Sequence, residues 1–198
     1  MMALMIADTG CANLASVRFA FARLGVEAKI SADPTVLKTA DRLVLPGVGS
    51  AGAGMAALRA KGLDEMLQEY ARPLLGICLG MQLLFKMSTE DNMRCLGLLG
   101  GTVEALPDNA GPVPHMGWNT LSLRTSDPFM RDVAENSYVY FVHSYGVKSD
   151  KNTLATTRYG MEFSAIVRRD NIYGCQFHPE RSGPTGAQIL QNFLDVNP

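Results

Sequence analysis

The stretch Leu74–Leu84 reads Leu-Leu-Gly-Ile-Cys-Leu-Gly-Met-Gln-Leu-Leu and holds one cysteine between two glycines. An apolar run precedes Cys78 and helix-forming residues follow it, so the pattern predicts a buried strand that turns directly into a helix. Gly-x-Cys-x-Gly at such a junction is the thiol form of the Gly-x-Ser-x-Gly nucleophile elbow. Glycines at 76 and 80 would let strand and helix pass closely, and the helix N-terminus would favour the thiolate of Cys78. The alternative is a buried cysteine that only fills space in a core strand.

Composition excludes several classes of protein. Hydrophobic residues make up 47% of the 198 residues and charged residues 19%, which predicts one globular domain over residues 1–198 with a sizeable core. The net charge of −1 gives no indication of nucleic acid or a membrane as partner. No apolar run could span a bilayer, and the short apolar segment 1–7 lacks the basic lead of a signal peptide. The cysteines at 11, 78, 95 and 175 form no Cys-x-x-Cys pair, which argues against a zinc site or a disulfide framework and predicts a cytoplasmic protein.

Strand and helix patterns alternate over the first 87 residues, which predicts an open, mostly parallel α/β sheet. Its functional site should lie at the carboxyl ends of the strands, where Cys78 and Pro46-Gly47-Val48-Gly49 fall. The strand before Pro46 is expected to break there, and a glycine-rich segment, Ser50–Gly54, to precede the next helix. The predicted strands are Ala3–Asp8, Val26–Ile30, Leu43–Leu45 and the run into Cys78; the predicted helices are Leu14–Leu24 with Asn13 as N-cap, Pro34–Ala40, Met55–Tyr70 with an interruption near Gly62, and Leu79–Met87.

After Ser88 the pattern changes to strands joined by hairpin-type turns such as Tyr159-Gly160 and Asp170-Asn171. This half is predicted to be largely antiparallel and to lie beside the parallel sheet. A final helix over 185–195 carries an apolar stripe that predicts a core position. The predicted strands are Thr102–Leu106, Trp118–Leu123, Tyr138–Val147, Leu154–Arg158, Ser164–Arg168 and Tyr173–Phe177.

A cysteine nucleophile needs a base, and the sequence holds three histidines, at 115, 143 and 178. His178 lies in Gln176-Phe177-His178-Pro179-Glu180 at the end of a predicted strand. Residues two apart on an extended chain point to the same side, so Glu180 can orient the imidazole as the acid of a Ser-His-Asp triad does. Cys78, His178 and Glu180 are therefore the candidate nucleophile, base and acid. An isolated His-x-Glu is weak evidence, because most such pairs are incidental.

Gly-Ile-Cys-Leu-Gly-Met-Gln at 76–82, with the later Gln-Phe-His-Pro-Glu, resembles the class I (triad) glutamine amidotransferases over essentially the whole chain. The resemblance implies a flavodoxin-like fold with a mostly parallel central sheet, helices on both faces and an additional antiparallel region. One branch of the family, which serves histidine biosynthesis, is resembled more closely. Its motifs are at 8–13 (Asp-Thr-Gly-Cys-Ala-Asn), 46–49, 114–119 (Pro-His-Met-Gly-Trp-Asn), 140–145 (Tyr-Phe-Val-His-Ser-Tyr) and 178–183.

The family resemblance implies hydrolysis of glutamine to glutamate and ammonia, with no metal or organic cofactor. Cys78 would attack the carboxamide and His178 would serve as acid and base. The oxyanion hole would use the backbone N–H of Leu79 and an amide from Gly47, Val48 and Gly49. Substrate contacts are implied for Gln82 and for the backbone around His143, Ser144 and Tyr145. An exposed helix glutamine is the alternative for Gln82.

The branch also implies a partner, a cyclase subunit with a (β/α)8-barrel fold that forms a heterodimer with the chain. It would use the ammonia to form imidazole glycerol phosphate and an aminoimidazole carboxamide ribotide. His115 and His143 have no base-plus-acid context and are interpreted as structural or as lining the site and interface. Trp118 is interpreted as a guard of the ammonia exit rather than a core residue. Further interface candidates are Asn13, Met116, Asn119, Tyr138 and Arg181.

Three other interpretations remain. A sister glutaminase could serve anthranilate, guanylate or pyridoxal phosphate synthesis, but the stretches 46–49 and 114–119 argue against it. A cysteine hydrolase or peptidase on a related α/β fold would need neither an amide-specific Gln82 nor a partner. A non-catalytic binding subunit would be expected to have lost Cys78, His178 or Glu180, and all three are present.

Overall fold

The protein is described by a computed structural model, which covers residues 2–10 and 12–196. Cys11, and with it part of the first predicted turn, lies outside the described residues. The helices are α1 (Leu14–Arg23), α2 (Pro34–Leu37), α3 (Ala51–Ala60), α4 (Leu63–Glu69), α5 (Leu79–Leu83) and α6 (Gly183–Asp195). The strands are β1 (Leu4–Ala7), β2 (Lys29–Ser31), β3 (Arg42–Gly47), β4 (Leu74–Cys78), β5 (Met87–Ser88), β6 (Met93–Arg94), β7 (Thr102–Ala105), β8 (His115–Thr120), β9 (Ser122–Leu123), β10 (Tyr138–His143), β11 (Tyr145–Val147), β12 (Thr153–Tyr159), β13 (Met161–Arg169) and β14 (Ile172–Cys175).

The main sheet has the strand order β2-β1-β3-β4-β14-β13-β12-β9. Strands β2, β1, β3, β4 and β14 pair in parallel, and β13, β12 and β9 continue the same sheet in antiparallel pairing. The prediction of a parallel sheet with an antiparallel region beside it is therefore confirmed. A ribbon of β8 and β10 and a small sheet of β11, β7, β5 and β6 complete the fold.

Helices cover both faces of the main sheet, as predicted. One core cluster joins α1 and α6 to alternate strand residues such as Ile6, Val44 and Ile77. The other cluster joins α3, α4 and α5 to the intervening residues of the same strands, such as Met5 and Leu45. Alternate residues of buried parallel strands face opposite sides, which explains the continuous apolar runs in the sequence. No helix in the described part of the chain is long and apolar enough to cross a membrane.

Several predicted boundaries are wrong because contacts between separate segments, rather than the local sequence pattern, decide where these elements begin and end. Strand β3 does not break before Pro46 but continues through Gly47, which pairs with Cys78. The glycine-rich segment 50–54 is the start of α3, since Ser50 caps this helix and its oxygen accepts from Ala53 N–H. Gly62, at φ +64°, separates α3 from α4. Helix α5 ends at Leu83 rather than Met87, where β5 begins.

Strand boundaries also shift in the second half. The predicted strand 138–147 is interrupted at Ser144, so that β10 and β11 join different sheets. The predicted strand 118–123 begins at His115 and is interrupted at Leu121. The second strand lies at 29–31, where Val26–Ile30 was predicted. Helix α1 agrees with its prediction, and the side chain of Asn13 accepts from Ser16 N–H as an N-cap should.

Candidate active site

Cys78 lies at a sharp turn between the parallel sheet and helix α5. It is the last residue of β4 and precedes the first residue of α5, with φ +54° and ψ −113°. A side chain at residue 80 would place its Cβ 1.8 Å from Leu45 O, and one at residue 76 would come within 2.7 Å of the backbone of Met81. Both glycines are therefore required by close backbone approach, and the predicted elbow geometry is present.

His178 and Glu180 form a buried pair beside the elbow. The Nδ1 atom of His178 lies 2.9 Å from Oε1 of Glu180, with both side chains under 10% exposed (8% and 4%). The two residues do not meet along an extended strand, as the sequence argument assumed, because β14 ends at Cys175 and Pro179–Arg181 form a 3₁₀ turn. His178 N–H donates to Tyr140 O at 2.9 Å, which anchors the base to β10.

The electrostatics of the pair favour a charged imidazole. Burial of the ring lowers the pKa of His178, but Cys78 and Glu180 together raise it by more, to about 10. The Nε2 atom of His178 is buried and has no hydrogen-bond partner among the described residues, while the Cys78 thiol lies 3.7 Å from Val142 O. The candidate nucleophile and base are thus neighbours, close enough for Cys78 to raise the pKa of His178.

A cavity of about 290 Å³ opens beside Cys78. Gln82 lines it and is buried, at 6% exposure, so the alternative of an exposed helix glutamine is wrong. The Nε2 atom of Gln82 donates to Tyr145 O at 2.9 Å and to Oε1 of Gln176 at 3.0 Å. Predicted residues from three segments meet in this cavity, whose lining includes Val48, Gly49, Leu79, His143, Ser144 and Tyr145.

Val48 and Gly49 line the cavity and directly follow Gly47, the last residue of β3. Gly47 is packed against α5, since a Cβ there would lie 2.9 Å from Gly80 N. Gly49 has φ +97° and open space around its Cα, and Val48 between them is 42% exposed. Of the two glycines, therefore, only Gly49 has the freedom to change its backbone conformation, because Gly47 is confined by its neighbours.

Glu90 is a residue that the sequence reasoning missed. It follows β5 in a 3₁₀ turn, and its Oε2 accepts from Ala51 N–H at 2.7 Å, at the start of α3. It also lines the cavity beside Cys78, where it is the acidic residue among the lining side chains. No local pattern marks Glu90, because its role depends on a contact across 39 residues of sequence.

His115 and His143 contact each other rather than an acid. Nδ1 of His115 lies 3.1 Å from Nε2 of His143, and burial lowers the pKa of each ring to about 4. The interpretation of these residues as structural or lining agrees with this arrangement. Cys95 and Cys175 are free and buried, and burial raises the pKa of both thiols, to about 11 for Cys95. Among the three cysteines that the structure describes, Cys78 is therefore the one beside the candidate base.

The predicted interface residues lie on the β8–β10 ribbon and around a second cavity. Met116, Trp118 and Tyr138 are exposed by 63%, 55% and 61%, so Trp118 is not a core residue. The ring of Trp118 packs edge-on against the ring of Tyr140, with 5.9 Å between their centroids, and the guanidinium of Arg181 lies 5.7 Å from the centroid of the Tyr140 ring. Asn13 and Arg181 line the second cavity, of about 90 Å³, together with His178 and Glu180. Val48 and Val142 border both cavities.

Comparison with known proteins gives a consistent result. The family model described as "Glutamine amidotransferase class-I" matches residues 5–196. Proteins named "Imidazole glycerol phosphate synthase subunit HisH" are similar over nearly their full length. The chain is 50% identical to that of Pasteurella multocida over 190 residues (96% of each chain) and 48% identical to that of Mannheimia succiniciproducens over 192 residues (97% of this chain and 99% of the relative). It is 46% identical to that of Haemophilus influenzae over 198 residues, the whole of both.

Solved structures agree in fold. A chain in the structure of PurLQS from Thermotoga maritima superposes with a TM-score of 0.78 at 24% identity, covering 98% of both chains. A structure titled as a glutamine amidotransferase gives 0.76 at 20% identity, covering 97% of both. At these identities the likeness establishes the architecture alone, and it agrees with the fold predicted from the sequence.

Proposed function

Because the chain belongs to the class-I glutamine amidotransferase family, and within it to the HisH glutaminase branch, we propose that Cys78, His178 and Glu180 hydrolyse glutamine to glutamate and ammonia. The ammonia passes to the cyclase subunit of imidazole glycerol phosphate synthase, in the histidine pathway. The contact that carries this proposal is the buried 2.9 Å pair of His178 and Glu180 beside a strained Cys78.

The chemical steps follow from the protonation states at the triad. The Cys78 thiolate attacks the side-chain carboxamide carbon of glutamine, and the charged His178 then donates a proton to the amino group of the tetrahedral intermediate, which leaves as ammonia. A glutamyl thioester remains on Cys78. His178, now neutral, takes a proton from water, which attacks the thioester carbonyl and releases glutamate and the thiolate. Glu180 holds the imidazole through Nδ1, so that Nε2 faces the reacting atoms.

Negative charge develops on the carboxamide oxygen during both attacks. The N–H of Leu79 is the first of helix α5, where backbone donors have no partner within the helix, so it is a suitable oxyanion donor. The second donor comes from the Gly47–Gly49 stretch, at the other side of the same cavity. We assign its orientation to the partner: docking of the cyclase with its ligand turns the peptide next to Gly49, which couples glutaminase activity to synthesis.

The cavity beside Cys78 has the groups needed to recognise an amino acid. Gln82 uses both Nε2 hydrogens on Tyr145 and Gln176, which leaves its carbonyl oxygen for the substrate. Glu90 supplies a negative charge for the α-ammonium group. Backbone groups of Ser144 and Tyr145 contact the substrate from the opposite wall. A volume of about 290 Å³ suits a ligand of this size.

Free ammonia gains a proton in water and is then no longer nucleophilic, so a glutaminase that serves synthesis needs a partner over its exit. The small cavity behind Val48 and Val142 adjoins His178, and the ammonia leaves by way of this cavity. Two groups of residues form the surface for the (β/α)8 barrel. The first is the exposed ribbon residues Met116, Trp118 and Tyr138, with Asn119 next to Trp118 in the sequence, and the second is Asn13 and Arg181 at the cavity rim. A heterodimer in the cytoplasm is the expected assembly.

The test is glutamate release from glutamine by the purified chain, alone and with a cyclase subunit carrying its nucleotide ligand. We expect low activity alone, strong stimulation in the complex and none for Cys78→Ala. Full activity without the partner would leave the triad in place but overturn partner control. Absence of activity under every condition would overturn the enzymatic proposal in favour of a binding subunit.

A further inference from the structure

Two buried histidines that the proposed chemistry does not use lie under the exposed face of the β8–β10 ribbon. His115 is 4% exposed and His143 5%, and they are opposite each other in the antiparallel register. Alternation along the ribbon puts Met116 and Trp118 on the outer face and His115 and Asn119 on the inner one. The two imidazoles join the inner face to the cavity beside Cys78.

At His143, the inner end of this connection, hydrogen bonds can be donated in only one direction. Nδ1 of His143 lies 2.8 Å from the backbone oxygen of Tyr145, which can only accept, so Nδ1 carries the hydrogen. Burial keeps the ring neutral at neutral pH, with a pKa of about 4, and its Nε2 is therefore an acceptor. Nδ1 of His115, at 3.1 Å from that atom, must donate to it.

The same reasoning extends outward to the ribbon. His115 is also neutral, since burial lowers its pKa to about 4, so its Nε2 accepts from Nδ2 of Asn119 at 3.3 Å. The other hydrogen of Asn119 Nδ2 goes to Arg158 O at 3.1 Å. The ring of His115 is held between Tyr159 and Phe141, with centroids 4.0 and 4.9 Å away and nearly parallel planes. Three side chains thus donate in one direction, from Asn119 to His115 to His143 to the Tyr145 carbonyl.

The Tyr145 carbonyl is where this chain of hydrogen bonds meets the substrate cavity. It also accepts from Nε2 of Gln82, at 2.9 Å. A carbonyl that accepts two hydrogen bonds is restrained in both position and direction. If His143 were displaced, Tyr145 O and the Gln82 amide would lose a shared restraint, and the carbonyl oxygen that Gln82 offers to a ligand would move with them.

We propose that His115 and His143 are positioning residues for glutamine, which hold the Tyr145 carbonyl and the Gln82 amide in place and connect them by directed hydrogen bonds to Asn119 on the partner-facing ribbon. This inference rests on the proposed function. It assigns the two residues an effect on substrate affinity through Gln82, with no part in proton transfer at Cys78.

The hydrogen-bond direction can be measured without turnover. Nitrogen-15 NMR of protein labelled at histidine reports the tautomer of each ring, and the sequence holds only three histidines. We expect both His115 and His143 as neutral Nδ1–H tautomers in the free chain. An Nε2–H tautomer at either residue would overturn the directed connection, whatever the kinetics show.

The kinetic test uses His115→Phe in the complex with the cyclase subunit. Phenylalanine keeps the stack with Tyr159 but leaves Nε2 of His143 without a donor. We expect KM for glutamine to rise about five- to tenfold, the effect of one lost buried hydrogen bond, while kcat stays within about twofold. His115→Asn, whose amide donates from nearly the position of Nδ1, should recover most of the loss. Tyr159→Phe, which keeps the ring and loses only its hydroxyl contact with Pro112, should match the wild type.

A double-mutant cycle separates positioning from general damage. In a Gln82→Ala background the His115→Phe change should raise KM by much less than in the wild type, because the Gln82 amide through which it acts is already absent. A fully additive rise in the cycle would overturn the positioning role while leaving the glutaminase intact. The same conclusion would follow if His115→Phe in the wild-type background left KM unchanged or lowered kcat alone. If His115→Phe does not fold, Asn119→Ala removes the outer donor at a half-buried site and is expected to raise KM in the same direction. If the wild-type complex released no glutamate, the proposed function would fail and this inference with it.

Discussion

Cys78 and Glu180 together favour the charged form of His178, and Glu180 acts through a buried contact in which its Oε1 lies 2.9 Å from Nδ1 of the imidazole. Burial lowers the pKa of His178, but Cys78 and Glu180 raise it to about 10. The folded protein therefore holds a proton on His178 that the unfolded chain loses near pH 6.5. The stabilising contribution is fully present below pH 6.5 and is lost as the pH rises through 10.

The rate of glutamate release should depend on the same proton of His178. A neutral His178 cannot protonate the departing amino group, so we expect kcat/KM to fall on the alkaline side only as the pH approaches 10. Glu180→Gln removes one of the two raising interactions and should move this fall to lower pH, together with a lower maximum rate. The measurement is the pH profile of glutamate release for both proteins in the cyclase complex. If kcat/KM fell at the same alkaline pH in the wild type and in Glu180→Gln, the role assigned to Glu180 would be contradicted.

Gly80 is required for a backbone approach rather than for flexibility. A Cβ at this position would lie 1.8 Å from Leu45 O, so Gly80→Ala must push α5 away from β3. We expect a loss of about 3 kcal/mol in the free energy of unfolding, as for a severe overpacking change, together with loss of glutaminase activity. Gly100→Ala is the matched control, since nothing lies within 4 Å of its Cβ. Equal denaturation curves for the two variants would refute the packing argument.

At the scale of the element, sequence pattern predicted the parts of the site that depend on local chemistry. The elbow at Cys78 follows from two glycines and an apolar run. The pairing of His178 with Glu180 was predicted as well, but from an extended strand, whereas a 3₁₀ turn at Pro179–Arg181 brings the two side chains together. The start of α3 could not be predicted this way. Its first N–H groups are held by Glu90 and Asp91, at 2.7 and 3.2 Å, and these carboxylates lie about 39 residues away in sequence. That contact turns glycine-rich residues into a helix and brings Glu90 to the cavity.

The segment between β3 and α3 is the element whose conformation should control the rate. Gly49 has φ +97°, which an L-residue rarely adopts, but no atom lies within 4 Å of a Cβ there. Gly49→Ala therefore alters the backbone without a clash. We expect kcat in the cyclase complex to fall roughly 10²- to 10³-fold, the cost of one misplaced oxyanion donor, with a much smaller change in KM.

Gly25→Ala is the control for this change, because Gly25 has φ +78° and equally open surroundings but lies after α1, away from the lining of the cavity beside Cys78. It should lose stability without losing stimulation by the partner. If Gly49→Ala retained full partner-dependent stimulation, we would abandon the turning peptide as the coupling element.

At the scale of the whole molecule, the position of the strands brings the reacting groups together. Strand β14 pairs in parallel with β4, so the segments after Cys175 and Cys78 emerge at the same sheet edge, although about a hundred residues separate His178 from Cys78. The alternation of strands and helices predicted this edge for Cys78 and for residues 46–49, but the strand 173–177 was placed in a half expected to be largely antiparallel, so the parallel pairing of β14 with β4 was not predicted. The sequence could not predict that β10 and β11 would diverge at Ser144, and that divergence forms the wall of the cavity beside Cys78.

The same arrangement leaves large apolar side chains exposed on one ribbon. Trp118, 55% exposed, packs against the ring of Tyr140, and Arg181, which lies over the same Tyr140 ring, lines the cavity behind the proposed triad. A tryptophan in this position has the character of a binding hot spot, since it offers a large, rigid and exposed aromatic surface. We expect Trp118→Ala to weaken binding of the cyclase subunit by about 2 kcal/mol, close to thirtyfold in Kd, and to leave the glutaminase activity of the free chain unchanged.

Phe19→Ala is the control for exposure alone, because Phe19 is 54% exposed but lies on α1, outside the ribbon. Titration calorimetry with the cyclase subunit measures both affinities, and glutamate release with saturating partner measures what remains of the coupling. A Trp118→Ala chain that bound normally but leaked ammonia into solution would assign the residue to the exit rather than to affinity. Equal loss of affinity in both variants would show that the ribbon is not the docking surface, because exposed apolar area anywhere on the chain would then account for the binding.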